Sequence, residues 1–137
     1  MSRILCIDYG LKRTGIAVTD PLRIIATGLT TVESPKLISF LKDYFQREKV
    51  SLMLIGEPRN MDDSATHATP LVIKCIKELE KNFPGIPIEK VDERYTSKMA
   101  SQAMIEMGLK KKQRRNKALV DEIAATIMLQ EYLQKQG

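Results

Sequence analysis

Asp8 closes a near-continuous apolar run, Arg3-Ile4-Leu5-Cys6-Ile7, and is followed at once by Tyr9-Gly10. A carboxylate so placed reads as one presented at the tip of a buried central strand, and open α/β sheets carry their chemistry at strand ends. Two further acidic positions suit the same edge: the adjacent pair Asp92-Glu93, which closes another short strand, and Asp121 on a late helix. Clustered carboxylates repel one another unless a divalent cation neutralises them. The pattern points to a site for Mg²⁺, with Mn²⁺ as a substitute, that handles phosphate.

Each position also has a plain structural reading. Asp8 could satisfy backbone N–H groups in the Gly10 turn. Period-two parity does not choose between Asp92 and Glu93, because Ile86 and Ile88 are in phase with Asp92 while Val91 is in phase with Glu93. Asp121 is sharper: its helical neighbours are Ala124, Ala125 and Met128, whereas Glu122 stacks on Thr126 near Gln130. An Asp on a core-facing stripe is costly unless paired or metal-bound, and the paired alternative would use Arg94 or Lys98.

The elements that must position these acids follow from periodicity. Arg3 to Asp8, Gly15 to Thr19 and Ile24 to Val32 read as three strands, and the short connections, with Asp20-Pro21 as one turn, suit antiparallel hairpins. Ser34-Pro35 supplies an N-cap and a first helical residue for a helix with Leu37, Leu41, Tyr44 and Phe45 on its apolar stripe. Leu52 to Gly56 is a buried strand. A helix with Val72, Cys75, Ile76, Leu79 and Phe83 comes next, then a fifth strand from Ile88 to Val91. Thr96 caps a Met-rich helix that stops at Gly108, and a last helix runs from about Asn116 to Leu133. The order βββαβαβαα predicts one α/β domain over residues 1–137, a five-stranded mixed sheet flanked by helices. Right-handed crossovers place the first, fourth and fifth strands side by side and parallel, with Asp8, Gly56 and Asp92-Glu93 on one edge.

The 137 residues carry a net charge of +5, which favours an anionic partner. Its arrangement says more than its sum. Lys110, Lys111, Lys112, Arg114, Arg115 and Lys117 form a run just before the helix that carries Asp121, so phosphates held there would lie near the acids. Read alone, such a run is a solvated linker. With no Trp in the chain, stacking on single strands has little support. Cys6 and Cys75 fall on apolar positions with no CxxC pairing and read as small core residues, and the Met stripe reads as packing. His67, the one histidine, reads as a loop bystander. No apolar run is long enough to span a bilayer and the chain begins directly with a strand, so a soluble, cytoplasmic protein is expected.

Gly10-Leu11-Lys12-Arg13-Thr14-Gly15 has the two glycines of a phosphate-binding P-loop, but Ile16-Ala17 follows where Lys-Ser/Thr is required. It more closely resembles the first phosphate hairpin of actin-like ATPases. The longer segment Ile7 to Val18 resembles the YqgF family, Holliday-junction-resolvase-like nucleases of pre-16S ribosomal RNA. Gly56-Glu57-Pro58-Arg59-Asn60-Met61-Asp62, Val91-Asp92-Glu93-Arg94-Tyr95-Thr96 and Lys117 to Ala125 are similar to its remaining blocks, in order and at similar spacing.

The resemblance implies a ribonuclease H-like fold and places Asp8, Glu93 and Asp121 at the family's catalytic, metal-holding acids, which selects Glu93 over Asp92. Glu57 and Arg59 stand where apolar residues are usual, and Asp63 where Gly is common. The expectation is a Mg²⁺-dependent nuclease acting on structured RNA at the 5′ end of pre-16S rRNA, with binding through Lys12, Arg13 and the 110–117 run. A DNA junction resolvase is the alternative enzyme. A nucleic-acid-binding module without turnover is the alternative from another class, disfavoured because a pure binder has no use for repelling carboxylates near phosphates.

Overall fold

In the computed structural model the described residues are 1–57, 69–92, 96–108 and 116–136. They build strands β1 (Arg3–Tyr9), β2 (Arg13–Thr19) and β3 (Ala26–Glu33), then a 3-10 turn (Ser34–Lys36) leading into helix α1 (Leu37–Arg47). Strand β4 (Val50–Glu57), helix α2 (Thr69–Asn82), strand β5 (Ile88–Asp92), helix α3 (Thr96–Glu106) and helix α4 (Lys117–Gln136) follow. The element order is the expected one. The sheet runs β3-β2-β1-β4-β5, with β1 antiparallel to β2, β2 antiparallel to β3, and β1, β4 and β5 mutually parallel.

Two apolar layers explain why the central strands read as unbroken hydrophobic runs. On one face Leu5, Ile7, Ile16, Val18, Met53 and Ile55 pack with Leu37, Leu41 and Tyr44 of α1 and Val72, Cys75 and Leu79 of α2. On the other, Ile4, Cys6, Ala17 and Leu54 pack against Ala125, Met128 and Leu129 of α4. Side chains alternate between faces along a strand. Asp8, in phase with Ile4 and Cys6, therefore belongs to the α4 face, and Tyr9 to the α1/α2 face. Both cysteines are buried, as expected, and burial pushes the Cys75 thiol up to about 12.

Some local expectations are corrected. The third strand begins at Ala26, not Ile24, because the backbone N–H groups of Ile24 and Ile25 donate to Asp20 Oδ1 at 2.8 and 2.7 Å instead of joining the sheet. Ser34 does not cap a helix. Its hydroxyl is buried, 2.8 Å from Thr14 Oγ1, and donates to the Gly10 carbonyl at 2.5 Å, while its N–H donates to the Lys12 carbonyl at 3.0 Å. The residue thereby fixes the turn after Asp8. Of the Met stripe, Met104 is fully buried but Met99 and Met107 are exposed, so only part of it is core. No helix among the described residues is long and apolar enough to cross a membrane.

Candidate active site

The site starts from a missing side chain. Gly15 lies opposite Asp8 in the β1/β2 register, and a Cβ added to it would run into the carbonyl carbon and oxygen of Asp121 and the backbone nitrogen of Glu122. Helix α4 thus rests directly on the strand backbone beside Asp8. Glycine inside a strand commonly marks such a close approach. This contact brings Asp8, near the start of the chain, to Asp121, near its end, on one face of the sheet.

Helix α4 is held in that position along its length. Asn116 Oδ1 accepts from the N–H groups of Ala118 and Leu119 at 3.1 and 3.3 Å and caps the first turn. The Ala118 carbonyl accepts from Thr31 Oγ1 at 2.6 Å, and Gln130 Oε1 accepts from the Ala26 N–H at 3.4 Å. Between these bonds the Glu122 carboxylate lies over Gly28, where a Cβ would stand 2.5 Å from Oε1. Glu122 is consequently half-buried against β3, and the face carrying Glu122 and Gln130 is a polar seam on the sheet. Ala124, Ala125 and Met128 are buried, as the stripe reading of Asp121 requires.

The Asp121 carboxylate is 28% exposed and its charge partner is Arg13, whose Nε stands 3.5 Å from Oδ2. That is an ion pair, too long for a good hydrogen bond. Arg13 Nε is itself buried and has no hydrogen-bond partner among the described residues. Among the described residues the ion pair of Asp121 is made by Arg13, the first residue of β2, while Arg94 and the Lys98 side chain, named as the paired alternative, lie outside the described residues. Burial raises the Asp121 carboxyl above its usual range, and the charges of Arg13 and Lys117 offset only part of this.

The sign of that shift gives a test. A carboxyl held above its unfolded value, 3.8, favours folding below that pH, and this contribution is lost as pH rises through the folded value. Asp121→Asn removes the loss. The difference in Tm between variant and wild type, measured without divalent ions, should move in the variant's favour from about pH 3 to about pH 7. A difference independent of pH would contradict the assignment of the burial penalty to Asp121.

Strand parity assigns Asp92 to the α1/α2 face. Ile88, in phase with it, packs in the α1/α2 core, whereas Val91 packs in the α4 core. Asp92 pairs in register with Glu57, and Glu57 also forms an ion pair with Lys90 at 3.8 Å. The unusual Glu57 therefore has a basic partner on the neighbouring strand. Glu93, Arg94 and Tyr95, the loop positions Arg59, Asp63 and His67, and Lys110, Lys111, Lys112, Arg114 and Arg115 of the basic run lie outside the described residues. Among the described residues no three His, Cys, Asp or Glu side chains gather as a metal site.

Even so, the described acids suit a divalent ion. Both are hard oxygen donors on one sheet face, and a cationic guanidinium already stands against one of them. Lys12 is exposed, and an open trough of about 510 Å³ lined by Leu11, Lys12, Arg13, Glu33 and Pro35 borders the junction. Lys117 is exposed at the first turn of α4. An anionic chain lying across this edge would meet positive charge on both sides of the acids.

Comparison with known proteins agrees with this architecture. Residues 2–135 match the family described as "RuvX: Holliday junction resolvase". A protein of Flavobacterium psychrophilum named "Putative pre-16S rRNA nuclease" is 61% identical over 133 residues, 97% of each chain. One of the same name from Christiangramia forsetii is 60% identical over 97% of this chain and 98% of its own. Among solved structures, Thermus thermophilus RuvC in complex with a Holliday junction superposes over 100% of this chain and 97% of its own, with a TM-score of 0.57 at 15% identity. Another structure of that protein gives 0.56 at 13%, over 98% of this chain and 95% of its own. At that identity the likeness establishes the ribonuclease H-like fold. The chain belongs to the RuvX (YqgF) family of Holliday junction resolvase-like proteins.

Proposed function

We propose that this chain, as a single nuclease domain, hydrolyses phosphodiester bonds of structured RNA in maturation of the 5′ end of pre-16S rRNA. The observation that carries the reading is the junction at Gly15, which joins Asp8 to Asp121 on the carboxyl edge of the sheet. The names of relatives about 60% identical over nearly their whole length supply the substrate. Glu93 enters as the third acid from its place in the family block. Together Asp8, Glu93 and Asp121 would hold Mg²⁺, or Mn²⁺, which when bound activates water and neutralises charge at the scissile phosphate.

The chain's own residues position the strand. Lys12 and Lys117 flank the acids and draw phosphates to the edge, and the 110–117 run extends that path. Ser34 and Thr14 hold the turn that presents Lys12 at a fixed angle to Asp8. Nothing in this scheme requires a membrane, and a cytoplasmic location is part of the proposal.

The family description favours a second reading, cleavage of four-way DNA junctions. Purified protein incubated with labelled pre-rRNA and with four-way junctions, with and without Mg²⁺, separates the two. Mg²⁺-dependent cut RNA supports the proposal. Cut junctions with intact RNA support the alternative, and binding without products in both arms leaves a binding module.

The basic run has its own test. Each phosphate contact releases condensed counterions, so each neutralised residue should flatten the log K against log[salt] slope by roughly 0.7 on single strands or 0.9 on duplex DNA. Replacing Lys111, Arg114 and Arg115 together with Ala should weaken RNA binding at moderate salt, similarly across unrelated sequences. Single-turnover cleavage at saturating protein should stay near wild type. Parallel slopes for the two proteins would make the run a solvated linker.

A further inference from the structure

We propose that Arg13 is a resident counter-charge that occupies the cation position at Asp121 until a divalent ion takes it, and that the displaced guanidinium then binds a phosphate of the nucleic acid. This deepens the reading of Asp121 as a metal-holding acid and rests on it. Three observations carry it. Arg13 Nε stands against Asp121 Oδ2 at 3.5 Å, close enough for charge pairing but not for a good hydrogen bond. The same Nε is buried and finds no hydrogen-bond partner among the described residues, so the donor is held in place but not satisfied by them. And the side chain as a whole remains 36% exposed and borders the trough beside Lys12, which gives its outer nitrogens a route to a phosphate.

A purely structural salt bridge would be built differently. Arg and carboxylate groups reach their best energy in a two-pronged pair with short, parallel bonds, and a bridge meant to fasten α4 to the turn would use that geometry. Here α4 is already fastened to the sheet by the Thr31 and Gln130 bonds and by the direct seat of Asp121 on Gly15. The Arg13 contact adds little to that attachment. What it does supply is a positive charge at a half-buried carboxylate.

Arg13 and the divalent ion would compete for Asp121, and Arg13 and a phosphate would be brought together by the ion's arrival. Two binding events are then coupled through one side chain, and coupling between sites is reciprocal. The ion should strengthen nucleic-acid binding by more than its own direct contact, because it frees a guanidinium at the same time. An isolated Arg13 fixed permanently on Asp121 would show no such coupling.

Calorimetric titration of Mg²⁺ into the wild type and three variants, without nucleic acid, tests the first half. Arg13→Gln removes the competitor and should tighten Mg²⁺ binding by about two- to fivefold, the range of a partly exposed ion pair. Arg13→Lys keeps the charge and should stay near wild type. Asp121→Asn should lose most of the affinity. Equal Mg²⁺ affinity in Asp121→Asn and wild type, including no binding by either, would overturn the metal reading and this inference with it. Loss in Asp121→Asn together with unchanged or weaker binding by Arg13→Gln would overturn the inference alone.

Affinity for a labelled RNA, measured in chelator and in Ca²⁺, tests the second half. In chelator, Arg13→Gln should bind nearly as well as wild type, and in Ca²⁺ it should bind several-fold less well. An equal loss in both conditions would mean that Arg13 contacts phosphate without being released, and would overturn the proposal. Thermal melts of each variant in both conditions separate these outcomes from unfolding.

Discussion

Replacing Asp8 with Asn is expected to lower single-turnover cleavage at least a thousandfold, about 4 kcal/mol of transition-state stabilisation, while the fold is retained. The substitution is nearly isosteric and removes one charge from a carboxylate opposite Gly15, on the sheet face covered by α4. Asp121→Asn should do comparable damage, and Glu122→Gln much less, since Glu122 lies over Gly28 at the outer strand β3. Labelled pre-rRNA at saturating protein is the measurement. Near-wild-type turnover by Asp8→Asn, in protein shown free of other nucleases, would remove Asp8 from the reaction.

The second large effect is structural. Gly15→Ala places a methyl group against the carbonyl of Asp121 and the nitrogen of Glu122, and backbone cannot swing aside as a side chain can. Overpacking of this kind typically costs 1–3 kcal/mol, and with no flexible neighbour to yield, the upper end, about 3 kcal/mol, is expected. For a chain of this size that lowers Tm by roughly 10 °C. Activity of the folded fraction should fall as well, because the methyl pushes Asp121 away from Asp8. Gly28→Ala is the control: its new methyl meets the Glu122 side chain, which can rotate away, so a small change is expected. Similar melting shifts for the two variants would show that α4 does not bear on β2 at Gly15.

Much of this arrangement is legible in local pattern. The apolar run ending at Asp8 reports a strand buried on both faces, and the Ala124, Ala125 and Met128 stripe reports the helix face that carries Asp121 to the sheet. What local pattern lacks is knowledge of which face each helix covers. Parity alone left Asp92 and Glu93 equal, the resemblance selects Glu93, and which face each phase of β5 meets is read only from Ile88 in the α1/α2 core and Val91 in the α4 core. Arg13 reads in sequence as one more base for phosphate, because its partner is nearly a whole chain length away. Ile24 and Ile25 look like strand residues, yet a nearby carboxylate captures their N–H groups. Glu122 and Gln130 look solvated until β3 is placed beneath them. One signal was available for α4: Gly15 and Gly28 interrupt two β-branched strands, and such interruptions mark where another backbone or side chain comes close.

The seat of α4 on Gly15 also governs when the site comes into being. Ribosomal synthesis delivers β1 with Asp8 well before α4, and until α4 docks, Ile4, Cys6, Ala17 and Leu54 lack the cover it gives on that face. Closing so long a loop is a late, entropically demanding step in folding. A growing chain therefore carries Asp8 without Asp121, and a truncated product ending before Lys117 never acquires the pair. Synthesis through α4 is the condition for both the second core and the meeting of Asp8 with Asp121, so copies that end before Lys117 lack that junction altogether.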